Sequence, residues 1–116
     1  MVLTEKSDRQ QLIEALNALV EGCFAEVKNL DLPLNIRNEL NEFGKQLNAQ
    51  LQIVVRDELA ENSAKFVNST REIKRVAEKI SKDHEQLKKI AATFETIAEL
   101  LEIAEQVAII AAGYFK

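Results

Sequence analysis

The sequence contains few residues that interrupt helices and few that cross-link small folds. Its 116 residues include three glycines, one proline, one cysteine and no tryptophan. A single cysteine excludes an intramolecular disulfide, and the scarcity of glycine and proline favours long helices. A chain of this length buries about two thirds of its unfolded surface on folding, so it needs no metal or disulfide for stability. We therefore expect a single all-α domain over residues 1–116.

The side chains that most often carry out catalysis are also scarce. His84 is the only histidine, and Ser81 lies three residues before it, where a di-iron bundle requires glutamate. Cys23 lies among apolar residues of a predicted helix, which favours a structural thiol over a nucleophile. Glycine-rich phosphate loops and calcium-binding loops are missing. The sequence therefore predicts a protein that is not an enzyme and that uses no cofactor or metal.

Long hydrophobic runs and a targeting segment are absent as well. The first ten residues are too polar for the apolar region of a signal peptide, and the apolar run at residues 107–115 covers less than half a bilayer. Together with the single thiol, this predicts a cytoplasmic protein. An interfacial or pore-forming role of the C-terminal helix is an alternative, although Glu99, Glu102 and Glu105 oppose insertion at neutral pH.

What the sequence does contain is an apolar residue at every seventh position from residue 59 to residue 115. A period of seven keeps these side chains on one face of a helix and is typical of helices that pack as in coiled coils. The sequence therefore predicts an antiparallel helical bundle with coiled-coil-like packing. The members of this ladder are Leu59, Phe66, Ile73, Ile80, Leu87, Phe94, Leu101, Ala108 and Phe115.

The first helix has clear start and stop signals. Ser7 and Gln10 form a capping box ahead of an apolar series, so this helix is expected over residues 8–29. Pro33 prevents its continuation, and Asp31 is the expected cap of the second helix.

The second helix is expected to continue to about Leu59, where the phase of its apolar face changes. Poor helix formers cluster within residues 60–69, which predicts a turn there. Ser69 and Glu72 form a capping box and are expected to begin the next helix.

The C-terminal part allows two arrangements. The ladder keeps its register throughout, which favours one continuous helix over residues 70–112 and hence a bundle of three long helices. Such a helix would be about 64 Å long, considerably longer than its predicted neighbours. Asp83 at a core position marks the alternative, a break near residue 82 that gives four helices.

The last helix is expected to carry more apolar surface than one small chain can cover. Beside its ladder residues lies a second apolar seam, and only a narrow acidic strip remains polar. Leaving this seam in water would be costly, so the sequence predicts self-association into a dimer or larger assembly, or binding to a protein partner. The expected interface residues are Leu100, Ile103, Val107, Ile110 and Tyr114.

Charge is distributed unevenly along the chain. The net charge is −4, which argues against general nucleic-acid binding, but the segment 65–89 is basic. The preferred interpretation is that this segment complements the acidic helices of the same chain across solvated edges. Alternatively, four of its residues lie on one side of a helix and form a patch suited to an acidic partner. A nucleic-acid-associated role of this segment is a second alternative, although acidic residues are interspersed and aromatic residues for stacking are missing. The patch comprises Arg71, Arg75, Lys79 and Lys82.

Overall fold

The computed structural model describes residues 7–56 and 63–114, and most of these residues are helical. Five α-helices lie in these two parts of the chain, with a π-helical turn after the third helix. The all-α prediction is therefore confirmed. In chain order the elements are α1 (Asp8–Val27), α2 (Leu34–Arg56), α3 (Ala64–Glu78), the π turn (Lys79–Asp83), α4 (Glu85–Ala91) and α5 (Glu95–Ala112).

The first helix begins where the sequence predicts. Ser7 Oγ accepts a hydrogen bond of 3.1 Å from the backbone N–H of Gln10, which satisfies one of the N–H groups that lack a partner within the helix. The cap expected for α2 was wrong. The carbonyl of Pro33, rather than the side chain of Asp31, accepts hydrogen bonds from the first turn of α2.

The third helix begins earlier than predicted. Ser63 Oγ accepts a hydrogen bond of 3.1 Å from the N–H of Phe66, whereas Ser69 is buried within α3. The capping role assigned to Ser69 was therefore wrong, because Ser63 already caps the helix. Residues 64–69, which belong to the predicted turn, are helical, and residues 60–62 lie outside the described residues. The expected end of the second helix at Leu59 lies outside the described residues.

The expectation of one continuous helix over residues 70–112 was wrong. The chain leaves helical geometry at His84 and again at Phe94, where the backbone is extended. The break at His84 lies close to residue 82, where the sequence analysis placed a break as the alternative. The break at Phe94 was not predicted. These two changes of direction allow α5 to return along α3 and pack against it.

Each long helix has two neighbours among the other three. α1 packs against α2 and α5, and α3 packs against the same two helices, while α4 covers the start of α5. Close side-chain contacts occur in three of these pairs: α1 with α2, α1 with α5, and α3 with α5. They join Arg9 to the Val55 carbonyl, Phe24 to Gly44, Leu100 to Gly22, and the ring of Phe66 to that of Tyr114.

The first half of the seven-residue ladder supplies several residues of the core. Its members Phe66, Ile73, Ile80 and Leu87 are fully buried. After the break at Phe94 the buried face of the chain shifts, so Phe94 and Leu101 are only half-buried while Ala108 is buried. Leu59 and Phe115 lie outside the described residues.

Candidate functional site

The second apolar seam of the last helix lies largely inside the chain. Leu100 is 2 % exposed and Val107 is fully buried. Ile103, Ile110 and Tyr114 are half-buried and pack against the core. The five residues predicted as an interface therefore belong mainly to the interior of a single copy.

Two neighbouring helices cover α5 where the sequence analysis expected a second chain. Leu100 lies over Gly22 of α1 so closely that a Cβ atom at residue 22 would be 2.7 Å from Leu100 Cδ1. Tyr114 packs edge-on against Phe66 of α3, with ring centroids 5.3 Å apart. Burial of this seam consequently does not require a partner, and the reason first given for self-association does not hold. The oligomeric state itself stays a prediction.

The surface that α5 presents to solvent is acidic. We call the exposed residues Glu95, Glu99, Glu102 and Glu105 the acidic strip. Ile109 continues this surface towards the C-terminus and is 65 % exposed.

The predicted basic patch is exposed on α3 and the π turn. Arg71, Arg75, Lys79 and Lys82 all lie on the surface of α3 and the π turn, and we call them the basic ridge. Part of its charge is balanced locally. The Arg75 guanidinium donates hydrogen bonds to Glu72, which lowers the pKa of the Glu72 carboxyl. Lys74 forms an ion pair of 3.0 Å with Glu78 beside the ridge.

The fold separates charge between two sides of the molecule. α1 and α5, which are neighbours, hold eight acidic residues and one basic residue, a formal charge of −7. α2, α3 and the π turn, which are also neighbours, hold nine basic and five acidic residues, a formal charge of +4. The sequence showed a basic segment between acidic ones, but only the helix packing reveals that the two acidic segments share a side.

The single thiol is not placed to react. Cys23 is fully buried in α1, and burial raises the pKa of its thiol to about 12. Because the thiolate is the nucleophilic form, the side chain is inert near neutral pH. The structural role predicted for Cys23 fits this environment.

The single imidazole is occupied by structural hydrogen bonds. Its Nδ1 accepts a hydrogen bond of 3.2 Å from the N–H of Leu87 and thereby caps α4. Its Nε2 contacts the carboxylate of Glu39 on α2. A ring whose Nδ1 accepts carries its proton on Nε2, so His84 donates to Glu39. Neither nitrogen is left to transfer a proton to a substrate.

A cleft of about 370 Å³ lies between α2 and the segment formed by α3 and the π turn. Sequence reasoning did not find it, because its two walls are far apart in the chain and meet only through helix packing. The sequence shows that Glu39 and Glu42 lie one helical turn apart on α2, where they form one wall of the cleft. It does not show which residues form the opposite wall. The cleft is lined by Asn38, Glu39, Glu42, Phe43, Gln46, Arg75, Lys79 and His84.

The described residues offer neither a metal site nor a membrane-spanning helix. Within residues 7–56 and 63–114, no three histidine, cysteine, aspartate or glutamate side chains are grouped so that they could hold a metal ion. In the same parts of the chain, no helix combines the length and the apolar character needed to cross a membrane.

Comparisons with known proteins assign no family to the chain. No protein-family model matches the sequence, and neither the curated proteins nor the solved structures give a significant match. A function therefore has to be inferred from the surfaces and the cleft described above.

Proposed function

We propose that this chain is a non-enzymatic helical-bundle protein that self-associates, with the acidic strip of one copy lying on the basic ridge of the next. The observation that carries this proposal is the separation of charge between the α1–α5 side and the α2–α3 side of the molecule. Complementary charged surfaces steer association and fix the orientation of the partners. The C-terminal helix thus remains the binding element, but through its exposed face rather than through its buried seam.

The proposed architecture is an antiparallel bundle of α1, α2, α3 and α5. It is supported by contacts that join the beginning of one helix to the end of its neighbour. Arg9 near the start of α1 donates to the Val55 carbonyl near the end of α2, and Tyr114 after the end of α5 contacts Phe66 near the start of α3. In such a bundle the acidic strip and the basic ridge run along the molecule rather than across it.

The two surfaces match in length and spacing. The basic ridge spans residues 71–82 and the acidic strip spans residues 95–105, which corresponds to about 16 Å and about 15 Å at the rise of an α-helix. Both place charges three or four residues apart, on successive helical turns. Several carboxylates can therefore meet cations when the two helices lie side by side.

Association of this kind is expected to be weak and sensitive to salt. Exposed ion pairs contribute only about 0.2 to 1 kcal/mol each, because they are solvated and screened. Burial of Ile109 would add an apolar contribution of about 1 to 2 kcal/mol. Since the two surfaces differ, the contact is heterologous, and it produces a ring or an open chain unless two copies can close on each other.

The proposal that the protein is not an enzyme is supported by the environments of its only thiol and its only imidazole. Cys23 is buried with a raised thiol pKa, and both ring nitrogens of His84 are engaged in holding the fold. Neither arrangement resembles an activated nucleophile or a proton-transfer pair open to a substrate.

The other two functions considered from the sequence have less support. The net charge of −4 disfavours general binding to nucleic acid, although the basic ridge is exposed. The surface that α5 exposes is acidic, whereas anionic membranes attract basic helices.

Sedimentation equilibrium at two ionic strengths tests the proposal. The Debye length falls from about 30 Å at 0.01 M salt to about 8 Å at 0.15 M, so we expect association at the lower salt and a marked loss at the higher. The double variant Arg71→Glu, Lys82→Glu should be monomeric at both. The matched control Lys88→Glu, Lys89→Glu changes the net charge equally on α4 and should still associate. A wild type that is monomeric throughout would reject self-association.

A further inference from the structure

The walls of the cleft between α2 and α3 carry opposite charges. Glu39 and Glu42 lie one helical turn apart on the α2 wall, and Arg75 and Lys79 lie one turn apart on the facing wall. Glu39 is already bound by His84, so Glu42 is the carboxylate available to a ligand. Glu72 engages Nε and Nη2 of Arg75, which leaves Nη1 of its guanidinium outside that pair.

One apolar side chain, Phe43, lines the cleft, and the π turn contributes Lys79 to its lining. Phe43 is 6 % exposed there, and the His84 ring packs edge-on against it with centroids 6.0 Å apart. Lys79, the first residue of the π turn, holds its Nζ 5.8 Å from the centre of the Phe43 ring. This distance is near the outer limit of a cation–π contact, so the ammonium group can turn towards an anion at little cost. π-helical turns are rare and often accompany binding sites.

We propose that this cleft binds a small zwitterion, a molecule with one primary ammonium group and one carboxylate. The carboxylate would lie on Arg75 and Lys79, and the ammonium group would lie on Glu42. The apolar part between the two charges would rest against Phe43. A ligand with one charge would leave one wall of the cleft without a counter-ion, which is why the zwitterion fits best. This inference does not require self-association, but Arg75 and Lys79 belong to both the cleft and the basic ridge, so a ligand and the acidic strip of another copy would compete for them.

The volume agrees with a ligand of this size. Binding sites for small molecules measure about 300 to 1,000 Å³, and they combine an apolar surface with a few polar groups that fix orientation. The cleft lies at the lower end of this range. It therefore suits an amino acid or a compound of similar size better than a nucleotide or a long peptide.

A series of ω-amino acids with increasing separation between the ammonium group and the carboxylate tests which separation fits the distance between the walls. Glycine, β-alanine, 4-aminobutyrate and 6-aminohexanoate are titrated into the full-length protein, and amide chemical shifts are recorded by NMR. Butyrate and butylamine carry only one of the two charges and serve as controls. We expect one member of the series to bind at least tenfold more tightly than either control, with shifts concentrated at residues 38–46 and 75–84.

Two variants separate the roles of the walls. Glu42→Gln should weaken binding of the best zwitterion to the level of butyrate. Lys79→Gln should weaken it towards the level of butylamine, and the double variant Arg75→Gln, Lys79→Gln should bring it to that level. The control Gln52→Glu lies on the exposed surface of α2 away from the cleft lining and should leave binding unchanged. The proposal is overturned if no compound binds, if the singly charged controls bind as tightly as the zwitterions, or if the shifts lie elsewhere.

Discussion

At the scale of single residues, two glycines allow helices to approach each other closely. Gly22 of α1 lies under Leu100 of α5, and Gly44 of α2 lies against the ring of Phe24 in α1. A glycine inside a helix lowers the stability of that helix by about 1 kcal/mol relative to alanine. In the folded chain, the missing side chain is what makes room for the neighbouring helix.

The variant Gly44→Ala tests this role. A Cβ atom at residue 44 would lie 2.6 Å from Phe24 Cε1, and overpacking of this kind costs about 1 to 3 kcal/mol. Because alanine favours the helix by about 1 kcal/mol, we expect a net loss of about 1 kcal/mol in the free energy of unfolding in urea. In the Phe24→Ala background the same change should stabilise the protein. A stabilising effect in both backgrounds would show that the close approach is unimportant.

The buried thiol makes a separate prediction about alkaline pH. The Cys23 thiol stays protonated in the folded state up to about pH 12, but in the unfolded chain it ionises near its usual pKa of 9.0. Its contribution to stability is thus complete below pH 9 and is lost as the pH rises. Between pH 8 and 10 the wild type should lose about 1.4 kcal/mol more than Cys23→Ala. Parallel urea unfolding curves of the two proteins would measure this, and equal losses would contradict the buried position of the thiol.

At the scale of elements, the junction between the π turn and α4 depends on one imidazole. His84 caps α4 through Nδ1 and holds α2 through Glu39. We expect His84→Ala to lower the free energy of unfolding by about 2 kcal/mol, since both a helix cap and a charge-assisted hydrogen bond are lost. His84→Asn can still cap the helix and should cost about 1 kcal/mol less. In the Glu39→Ala background, the remaining difference between the two variants should reflect the cap alone; no difference there would exclude the capping role.

The starts of helices could be predicted only where the local chemistry was unambiguous. The Ser7 cap was identified because Gln10 completes a known motif, whereas Ser63 was missed because Ser69 and Glu72 match that motif better. The sequence signal for the end of a helix at Phe94 was weaker than the signals for these caps. Thr93 and Phe94 are poor helix formers, but the register of the ladder continues through them, and the turn is set by the packing of α5 between α1 and α3.

At the scale of the whole molecule, the arrangement of helices determines which predicted site residues reach the surface. The basic ridge could be predicted in full from helical spacing, because exposure of charged residues follows from the amphipathic pattern. The interface on α5 could not, since Leu100 and Val107 have neighbours in α1 and α3 that are distant in sequence. For the same reason, the cleft and the charge separation could not be predicted from the sequence, because both depend on how the helices pack.

The central claim is that the acidic strip of one copy binds the basic ridge of another, and mixing two charge-reversed variants tests it most directly. The first variant is Glu99→Lys, Glu102→Lys, and the second is Arg71→Glu, Lys82→Glu. All four positions are exposed, so both variants should fold as the wild type does, which circular dichroism can check.

Sedimentation equilibrium at low salt then gives the answer. Each variant alone has one surface whose formal charge is reduced to zero, the strip in the first and the ridge in the second, and is expected to be monomeric. An equimolar mixture joins the intact ridge of the first to the intact strip of the second and should associate. A mixture that stays monomeric, or a variant that associates by itself as strongly as the wild type, would contradict the account.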